Sequence, residues 1–409
     1  MTNPKLALIP SGYKATKVYS ILPSDGGGDF TFDRASEGTR VRKDGLIEEV
    51  TNDTPRLDWS DGNCPSLLLE PQRLNRQVYS EQIDNAVWSK VSTSVTANQI
   101  VSPSGEYNAD KVQRTSTSSS YVSDSASKSA SAELDITTSM FVKKGEGDFF
   151  AIRQGGYPNR GEVKYQFSTN TITTSVAGSD FTVVGSSVED YGNGWIRLSA
   201  TFNTDASSTV ATLFSPRATD GTVDASDTSD SAYAYVWGVQ VEEGSLSSYI
   251  KTEASAVTRL KDECFNGGDA DLFDITEGTF FVDSYVYDSG NQTTISLSDG
   301  SDSNKLILIF QSYGTQVRVF SSGGVDSFLN LTFDQRNKLA VTFKENEYKF
   351  FINGVLVGSD TSATVPTGID RLNFSNRTNT ANNFEGKVHD TRVYDRVLTE
   401  AEAIELTTL

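Results

Sequence analysis

The feature that most limits the fold of this chain is the alternation of apolar and polar residues in many short segments. The segment KLAVTFK shows it most clearly, since Leu339, Val341 and Phe343 alternate with polar neighbours. A period of two places such residues on one face of a β-strand. Glycine, serine and threonine are frequent between the alternating segments, as in turns and loops. The sequence therefore predicts an all-β protein built from many short strands.

Other alternating segments predict which residues form the core. One is GWIRLSATFN, and another is YAYVWGVQVEEG. In these two segments we expect Trp195 and Trp237 to be buried. The residues predicted to share a face are Ile196, Leu198, Ala200 and Phe202 in the first segment, and Tyr233, Tyr235, Trp237, Val239 and Val241 in the second.

The end of the chain, KVHDTRVYDRVLTEAEAIEL, predicts a strand followed by a short helix. Thr399 and Glu402 have the spacing of a capping box, in which the threonine caps the helix and the glutamate reaches back. Before it, Asn353-Gly354 between two apolar runs predicts a tight hairpin. The residues predicted to share one strand face are Val388, Asp390, Arg392 and Tyr394, and those predicted to turn the helix towards the sandwich are Ala403, Ile404 and Leu406.

Three regions are predicted along the chain. Residues 1–75 combine short apolar pieces with Gly, Pro and charges, and show no sustained period of 2 or 3.6. We therefore expect them to form an extended, loop-rich docking segment that lies on the following domain or on a neighbouring subunit. Two tandem β-sandwich domains of jelly-roll type should follow, at residues 76–260 and 265–409, with the terminal helix capping the second.

Charge and cysteine usage exclude several classes of function. The formal net charge of −19 disfavours nucleic acid as a partner, because such a surface repels phosphates. Cys64 and Cys264 are too few and too far apart to form a disulfide framework. The start, MTNPKLALIPSGYKATKVYS, lacks the apolar region of a signal peptide, so we expect neither Sec-dependent export nor membrane insertion.

The C-terminal region resembles a laminin G or concanavalin A-like jelly roll. The resemblance rests on the hairpin YKFFINGVLVG followed by EGKVHDTRVYDRVLTEAEAIEL, over about residues 265–409. That family includes lectins, adhesive modules and glycoside hydrolases, so it implies a fold more strongly than a function.

The middle region resembles the carbohydrate-binding-module-like jelly rolls of tailed-bacteriophage structural proteins. The leader, with FDRASEGTRVRKDGLIEEV and LLLEPQRLN, is similar to the segment that precedes such domains in virion proteins. The residues that carry the resemblance of the middle region are Trp195, Trp237, Gly238, Gln240, Glu242, Gly244, Tyr249, Ile250, Thr252, Thr258 and Arg259.

No catalytic motif is evident. Glycosidases of the concanavalin A-like family carry a signature resembling E-x-D-x-E on one strand, and this signature is missing here. The single histidine, His389, excludes any site that needs two histidines. We expect a protein that is not an enzyme. The alternative that stays open is a polysaccharide-degrading glycoside hydrolase with an accessory carbohydrate-binding module.

Two sets of residues are candidates for binding. Sugar rings stack on aromatic faces, so loop tyrosines beside glycines are candidate carbohydrate ligands: Tyr157, Tyr191 and Tyr313. No cofactor is expected, but calcium prefers oxygen donors, and two loops supply Asp288, Asn291, Asp299, Asp302 and Asn304. The alternative, which the lack of EF-hand spacing favours, is that these residues are ordinary turn formers.

Together these observations predict a non-catalytic bacteriophage virion protein, made in the host cytoplasm and located on the virion as a head or tail fibre, spike or capsid decoration. Residues 1–75 would dock onto other virion proteins. The jelly rolls would bind a host-surface glycan or receptor, and the protein would be a homotrimer.

Overall fold

The computed structural model of the protein describes residues 3–409 except 63, 130, 180, 208, 274–275, 289, 302, 312–314 and 377–381. Strands dominate the described residues, which confirms the predicted all-β class. They form two compact units. Unit 1 consists of Met1–Lys43, Glu49–Gln72 and Leu260–Leu409, and unit 2 of Asp44–Glu48 and Arg73–Arg259.

The strands fall into three groups along the chain. Those in the leader are β1 (Leu6–Leu8), β2 (Tyr13–Lys14), β3 (Lys17–Val18), β4 (Phe30–Asp33), β5 (Gly38–Val41), β6 (Ile47–Val50), β7 (Leu57–Asp58), β8 (Ser66–Leu69) and β9 (Arg73–Asn75). The middle of the chain has β10 (Ser89–Val91), β11 (Thr93–Ile100), β12 (Ala109–Arg114), β13 (Tyr121–Ser127), β14 (Asp135–Glu146), β15 (Phe149–Gly155), β16 (Arg160–Gln166), β17 (Thr171–Ala177), β18 (Thr182–Asp190), β19 (Trp195–Asn203), β20 (Thr209–Arg217), β21 (Tyr233–Glu243) and β22 (Val257–Arg259).

The C-terminal part has β23 (Glu263–Phe265), β24 (Gly278–Val286), β25 (Gln292–Ser298), β26 (Lys305–Gln311), β27 (Gln316–Ser321), β28 (Asp326–Asn330), β29 (Arg336–Lys344), β30 (Glu347–Ile352), β31 (Val355–Asp360), β32 (Arg371–Asn373) and β33 (Gly386–Tyr394). Its helices are α1 (Ala270–Phe273) and α2 (Glu400–Thr407). No helix in the described ranges is long and apolar enough to cross a membrane.

Unit 1 is built around a sandwich of two antiparallel sheets. One sheet has the order β31-β30-β29-β24-β33-β8-β7, with β1 also paired to β33, and the other has the order β28-β27-β26-β25-β32. Apolar side chains from both sheets form one buried cluster. Leu339, Val341 and Phe343 belong to it, which confirms the inward face predicted for this strand.

The leader buries its apolar residues within its own chain. Strand β1 pairs with the second half of β33, with Leu6 opposite Val393, and β8 pairs with the first half, with Leu67 opposite Val388. Leu6 and Leu67 are completely buried in the core of unit 1. No neighbouring chain is needed to cover these residues. The predicted limits 1–75, 76–260 and 265–409 therefore differ from the two units, because most of the leader joins the C-terminal sandwich.

A buried ionic network holds the leader to the segment that follows unit 2. Asp262 accepts hydrogen bonds from Arg34 (3.1 Å) and from Arg56, and it also accepts one from the Glu70 backbone N–H (2.8 Å). Arg56 donates in addition to the Glu70 carboxylate at 2.6 Å. All four side chains are buried. Burial opposes the charge on Arg56, but Asp262 and Glu70 outweigh it and raise its pKa.

Unit 2 is a second sandwich, and its two ends lie side by side. Its sheets have the orders β10-β13-β20-β15-β16-β17 and β11-β12-β21-β14-β19-β18. Leu198, Ala200 and Phe202 are buried between the sheets, as predicted. At the ends of the unit, β9 and β22 pair antiparallel, with Asn75 opposite Val257.

Strand β21 does not keep one face along its length. Val239 and Val241 lie in the core between the sheets, whereas Trp237 packs with Phe141 in a separate buried cluster. The reversal occurs at Gly238, where φ is +63° and the register with β14 shifts. A β-bulge of this kind turns the following side chains to the other side. The prediction of a single face from Tyr233 to Val241 was therefore wrong, although the burial predicted for Trp195 and Trp237 is confirmed.

A second irregularity lies in β33. The strand is confirmed, but its register with β24 shifts between Asp283 and Ser284. As a result Val388 and Val393 both point into the core, while Tyr394 packs against the terminal helix. The single face predicted for residues 388, 390, 392 and 394 is wrong for the same reason as in β21.

The predicted hairpin and terminal helix are confirmed. Asn353 and Gly354 both have positive φ, 49° and 80°, between β30 and β31. Thr399 caps α2, since its hydroxyl accepts from the Glu402 N–H while the Glu402 carboxylate accepts from the Thr399 N–H at 2.9 Å. Arg396 and Thr399 lower the pKa of Glu402 to about 2, so the cap stays charged in mild acid. Ala403 and Leu406 are buried against the large sheet of unit 1, and Ile404 packs beside them.

Replacing Asp262 should destabilise unit 1 specifically. In Asp262→Asn two buried arginines lose their shared counter-charge, which costs about 3 to 5 kcal/mol in comparable buried pairs. Calorimetry should show the melting transition of unit 1 moving down. Glu347→Gln, which alters an exposed ion pair with Lys344, is the control and should change little. An Asp262→Asn protein as stable as the wild type would contradict the structural role of the network.

The terminal helix can be tested in the same way. Leu406→Ala should cost about 2 to 4 kcal/mol through lost packing, and Thr399→Ala about 1 kcal/mol through the lost cap. Thr399→Ser keeps the capping hydroxyl and should behave like the wild type in thermal unfolding. Equal losses for serine and alanine would show that the cap contributes nothing.

Candidate functional site

The outer face of the smaller sheet in unit 1 carries aromatic, cationic and amide side chains in the open. Strands β26, β27 and β28 point Val317, Val319 and Leu329 into the core, so the alternate residues face outward. We call the outward set the Phe328 face; its members are Lys305, Ile309, Gln316, Arg318, Phe320, Asp326, Phe328 and Asn330.

Arg318 is the centre of this face. Its guanidinium carbon lies 5.2 Å from the centroid of the Phe320 ring and 5.3 Å from that of Phe328. Asp326 holds the guanidinium from the side through two hydrogen bonds of 2.6 and 2.8 Å. Lys305 places its ammonium 5.2 Å from the Phe320 ring. Phe328 is nevertheless 52% exposed, so one aromatic side chain is both positioned and open to solvent.

The ion pair on this face stays charged over a wide pH range. Hydrogen bonding from Arg318 lowers the pKa of Asp326, and the same bonds raise the pKa of Arg318. Because both shifts favour the charged forms, the arrangement around the two rings does not change between neutral and mildly acidic pH.

The chemistry of this face suits a ligand that is apolar on one side and rich in hydroxyls around it. Phe328 offers a flat apolar surface, and Gln316 and Asn330, whose amides lie 3.5 Å apart, supply donors and acceptors next to it. The neighbouring strand β25 is covered instead, because its side chains on this side, Thr294, Ser296 and Ser298, are buried, and the Ser296 hydroxyl donates to the Ser375 carbonyl at 2.8 Å. The accessible area is therefore limited to β26, β27 and β28.

The sequence prediction overlooked these residues. It considered aromatic residues in glycine-flanked loops, whereas Phe320 and Phe328 lie on strands. The usable signal is an aromatic or arginine on the polar side of an alternating strand, as in QVRVFS, where the valines already fill the core side.

The predicted tyrosines have different environments. Tyr157 is 90% exposed in the loop between β15 and β16. The ring of Tyr191 instead meets Phe141 edge-on, with centroids 4.8 Å apart, and packs against a buried aromatic cluster. Tyr191 therefore packs in unit 2, and its ring is not a free platform. Tyr313 lies outside the described residues.

The predicted calcium donors lie in two separate loops, one at each end of β25. Asp299 accepts hydrogen bonds from the Ser301 N–H (2.7 Å) and the Asn304 side chain (2.8 Å). Hydrogen bonding by the Ser301 side chain, and then by Asn304 and the Ser301 N–H, lowers the pKa of Asp299. Asn291 precedes strand β25 and Asp299 follows it, so the seven-residue strand separates them by roughly 26 Å. Asp288, near Asn291, donates its N–H to Asp334 at 3.0 Å.

Two further points concern calcium. Asp302 lies outside the described residues. Within the described ranges, no group of three or more His, Cys, Asp or Glu side chains is placed to hold a metal ion. The structure thus brings Asp299 and Asn304 together and leaves Asp288 and Asn291 at the other end of β25. Calcium binding stays a prediction.

Several residues that carry the resemblance of the middle region form a buried hydrogen-bond network in unit 2. Gln240 donates to Glu242 at 2.7 Å and accepts from the Ile250 N–H at 2.7 Å. Glu242, fully buried, also accepts from the Ser247 N–H and hydroxyl. Tyr249 exchanges a hydrogen bond with Ser80 at 2.7 Å. These side chains fix the segment after β21 and have no surface left to offer a ligand.

The other outer face of unit 1 carries a cluster of ion pairs. Asp283 and Asp390 lie opposite each other on β24 and β33. Arg336 holds Asp283 with two bonds of 2.7 Å, and Arg392 holds Asp390 with bonds of 3.0 and 2.6 Å. Burial raises the pKa of Asp390, against the effect of Arg392. The facing carboxylates are the closest approach to a catalytic pair on these strands, but each is tied to its own arginine.

His389 lies in the same cluster, at the irregularity of β33. Its Nε2 is 3.5 Å from the Asp61 carboxylate. Burial, and after it the positive charges of Arg336 and Lys387, lower the pKa of His389. The negative charges of Asp283 and Asp61 raise it, but they do not outweigh the first group. The neutral imidazole is therefore the form that the fold favours.

Comparison with known proteins connects this sandwich to a family. Residues 276–403 match the family model described as the concanavalin A-like lectin/glucanases superfamily. This stretch runs from near the start of β24 to the terminal helix and contains the whole Phe328 face. The concanavalin A-like resemblance expected for the C-terminal region is confirmed. No curated protein matches the chain.

Several solved structures are similar to parts of the chain. The Ruminococcus gnavus IT-sialidase CBM40 bound to alpha2,3 sialyllactose is 20% identical, over 35% of this chain and 93% of its own, with a TM-score of 0.30. Domain 4 of AbnA, a GH43 extracellular arabinanase from Geobacillus stearothermophilus, is 18% identical over 41% and 83%, with a TM-score of 0.31. The Trypanosoma rangeli sialidase in complex with sialic acid is 11% identical over 73% and 60%, with a TM-score of 0.29.

The lowered pKa of His389 predicts a pH effect on stability. A histidine whose pKa is lower in the folded chain contributes stability above its unfolded pKa of about 6.5, and this is lost as the pH falls towards the folded value. Between about pH 7.5 and about pH 5.5 the wild type should therefore lose more unfolding free energy than His389→Gln. Urea unfolding at both pH values measures the difference. Parallel losses in both proteins would show that His389 keeps its ordinary pKa.

Proposed function

We propose that the protein is a non-catalytic glycan-binding protein and that the Phe328 face of unit 1 holds the sugar. The observation that carries the proposal is the ring of Phe328, half exposed yet held beside Arg318 at 5.3 Å. A pyranose ring has an apolar face of C–H groups that can stack on such an aromatic ring while its hydroxyls bond to neighbouring polar groups.

The surroundings of Phe328 provide those polar groups. Arg318 offers N–H donors, Asp326 offers carboxylate acceptors, and the amides of Gln316 and Asn330 offer both. Because the net charge of −19 repels polyanions, a largely neutral glycan is the expected ligand. The concanavalin A-like family model across these strands supports a lectin-like role.

The absence of catalysis and the location on a virion are part of the same proposal. The bacteriophage role and the docking onto virion proteins rest on the sequence resemblances alone. The arginine pairing of Asp283 and Asp390 supports a binding role over hydrolysis, because a catalytic carboxylate must be free to bond to the substrate. A glycoside hydrolase stays the alternative, favoured by the opposed positions of these two carboxylates.

Glycan binding can be assigned to the face by substitution. A glycan array should identify a ligand for the wild type, and titration calorimetry should show that Phe328→Ala weakens its binding about tenfold or more, through loss of stacking. Arg318→Lys should also weaken binding, because lysine cannot bond to Asp326 with two parallel N–H groups. Circular dichroism checks the fold, which an exposed side chain should not disturb.

Two controls separate this site from its competitors. Tyr157→Ala changes the exposed loop tyrosine of unit 2 and should leave binding unchanged, whereas a loss there would move the site to unit 2. Wild-type affinity in Phe328→Ala would refute the assignment. Release of reducing ends from the bound glycan, abolished in Asp390→Asn, would establish the hydrolase instead.

A further inference from the structure

One side of the sandwich in unit 2 ends in two exposed strands. Strand β17 is the last strand of one sheet, and β18 is the last strand of the other. The two strands contact each other, so both sheet edges lie on the same side. Val176 on β17 is 54% exposed and Val184 on β18 is 56% exposed.

One of these edges, strand β17, lacks the usual protection against pairing with another chain. Natural edge strands commonly carry lysines, prolines or bulges. Residues 171–188, TITTSVAGSDFTVVGSSV, contain no Lys, Arg, Glu or Pro and a single Asp, in a chain of which 22% is charged. The register of β18 shifts between Val183 and Gly185, which protects that edge. Strand β17 pairs with β16 without a shift over all seven residues.

The inner side of β17 is also complementary to itself. Ile172, Thr174 and Val176 lie opposite Tyr165, Val163 and Gly161 of β16, so they share the side that faces the core. Ile172 packs partly on that core, while Val176 stays open. An antiparallel pairing of two β17 strands about Thr174 would place each Ile172 opposite Val176 of the second copy. Val176 of each copy would then be covered by Ile172 of the other, which gives two apolar cross-strand pairs.

We propose that β17 is a self-association edge through which two copies of this chain form a two-fold dimer with a continuous sheet. Two chains of charge −19 repel each other, and they can approach closely only where charges are missing, as they are on β17. A two-fold contact uses the same patch on both copies, which the pairing about Thr174 satisfies. The proposal is independent of glycan binding, and it replaces the homotrimer that the resemblance to phage fibres implies.

Sedimentation of the full chain tests the dimer. The wild type should sediment as a dimer, more completely at high salt because the repulsion is screened. Val176→Lys should give a monomer of unchanged circular dichroism and melting temperature. Val101→Lys, at a valine that is 49% exposed outside the strand edges, is the matched control and should remain dimeric.

Cross-linking tests the register. In a Cys64→Ser background, which removes the exposed thiol, Thr174→Cys should form a disulfide-linked dimer on mild oxidation because Thr174 faces itself across the axis. Thr173→Cys should not, because it faces Ser175 of the second copy and its own counterpart lies on a diagonal about 7 to 8 Å away. A monomeric wild type, a trimer, or a dimer that Val176→Lys leaves intact would overturn the proposal.

Discussion

Asp262 is the residue on which the connectivity of the fold depends. Asp262 follows β22, the strand through which the chain leaves unit 2, and together with Glu70 it neutralises Arg34 and Arg56 of the leader. Both arginines are buried, so each would cost several kcal/mol if the carboxylate were displaced. The network therefore fixes where the chain returns after unit 2. Directly after Asp262, β23 pairs with β4, and the leader strands β1 and β8 both pair with β33.

Arg73–Arg259, the main part of unit 2, is therefore an insertion in unit 1. The chain passes into unit 2 through β9 and out through β22, which are hydrogen-bonded to each other. Because β9 and β22 are paired, the distance between Gln72 and Leu260 is fixed. The interior of unit 2 can therefore vary without changing it. The proposed glycan-binding face and the proposed self-association edge accordingly belong to different units and can be altered separately.

Much of the fold was predictable because local rules decide it. The hairpin at Asn353-Gly354 follows from the need for positive φ, and the cap at Thr399 follows from a four-residue spacing. The faces of β21 and β33 were not predictable, because a bulge at Gly238 or near His389 depends on the partner strand and leaves the pattern of alternation looking regular. The site was missed for a related reason. Phe328 looks like a core residue in the sequence, and only the sheet shows that it points outward.

The pairing of β1 with the end of β33 also has a consequence for synthesis. Leu6 and Val393 are neighbours in space but nearly the whole chain apart in sequence, so this contact can form only after almost every residue has left the ribosome. All residues of unit 2 have been synthesised by Arg259, so unit 2 can fold before β33 of unit 1 has been made. During that interval the apolar leader is uncovered. The newly made chain therefore depends on the charged and glycine-rich residues between its short apolar pieces to avoid aggregation until β33 emerges.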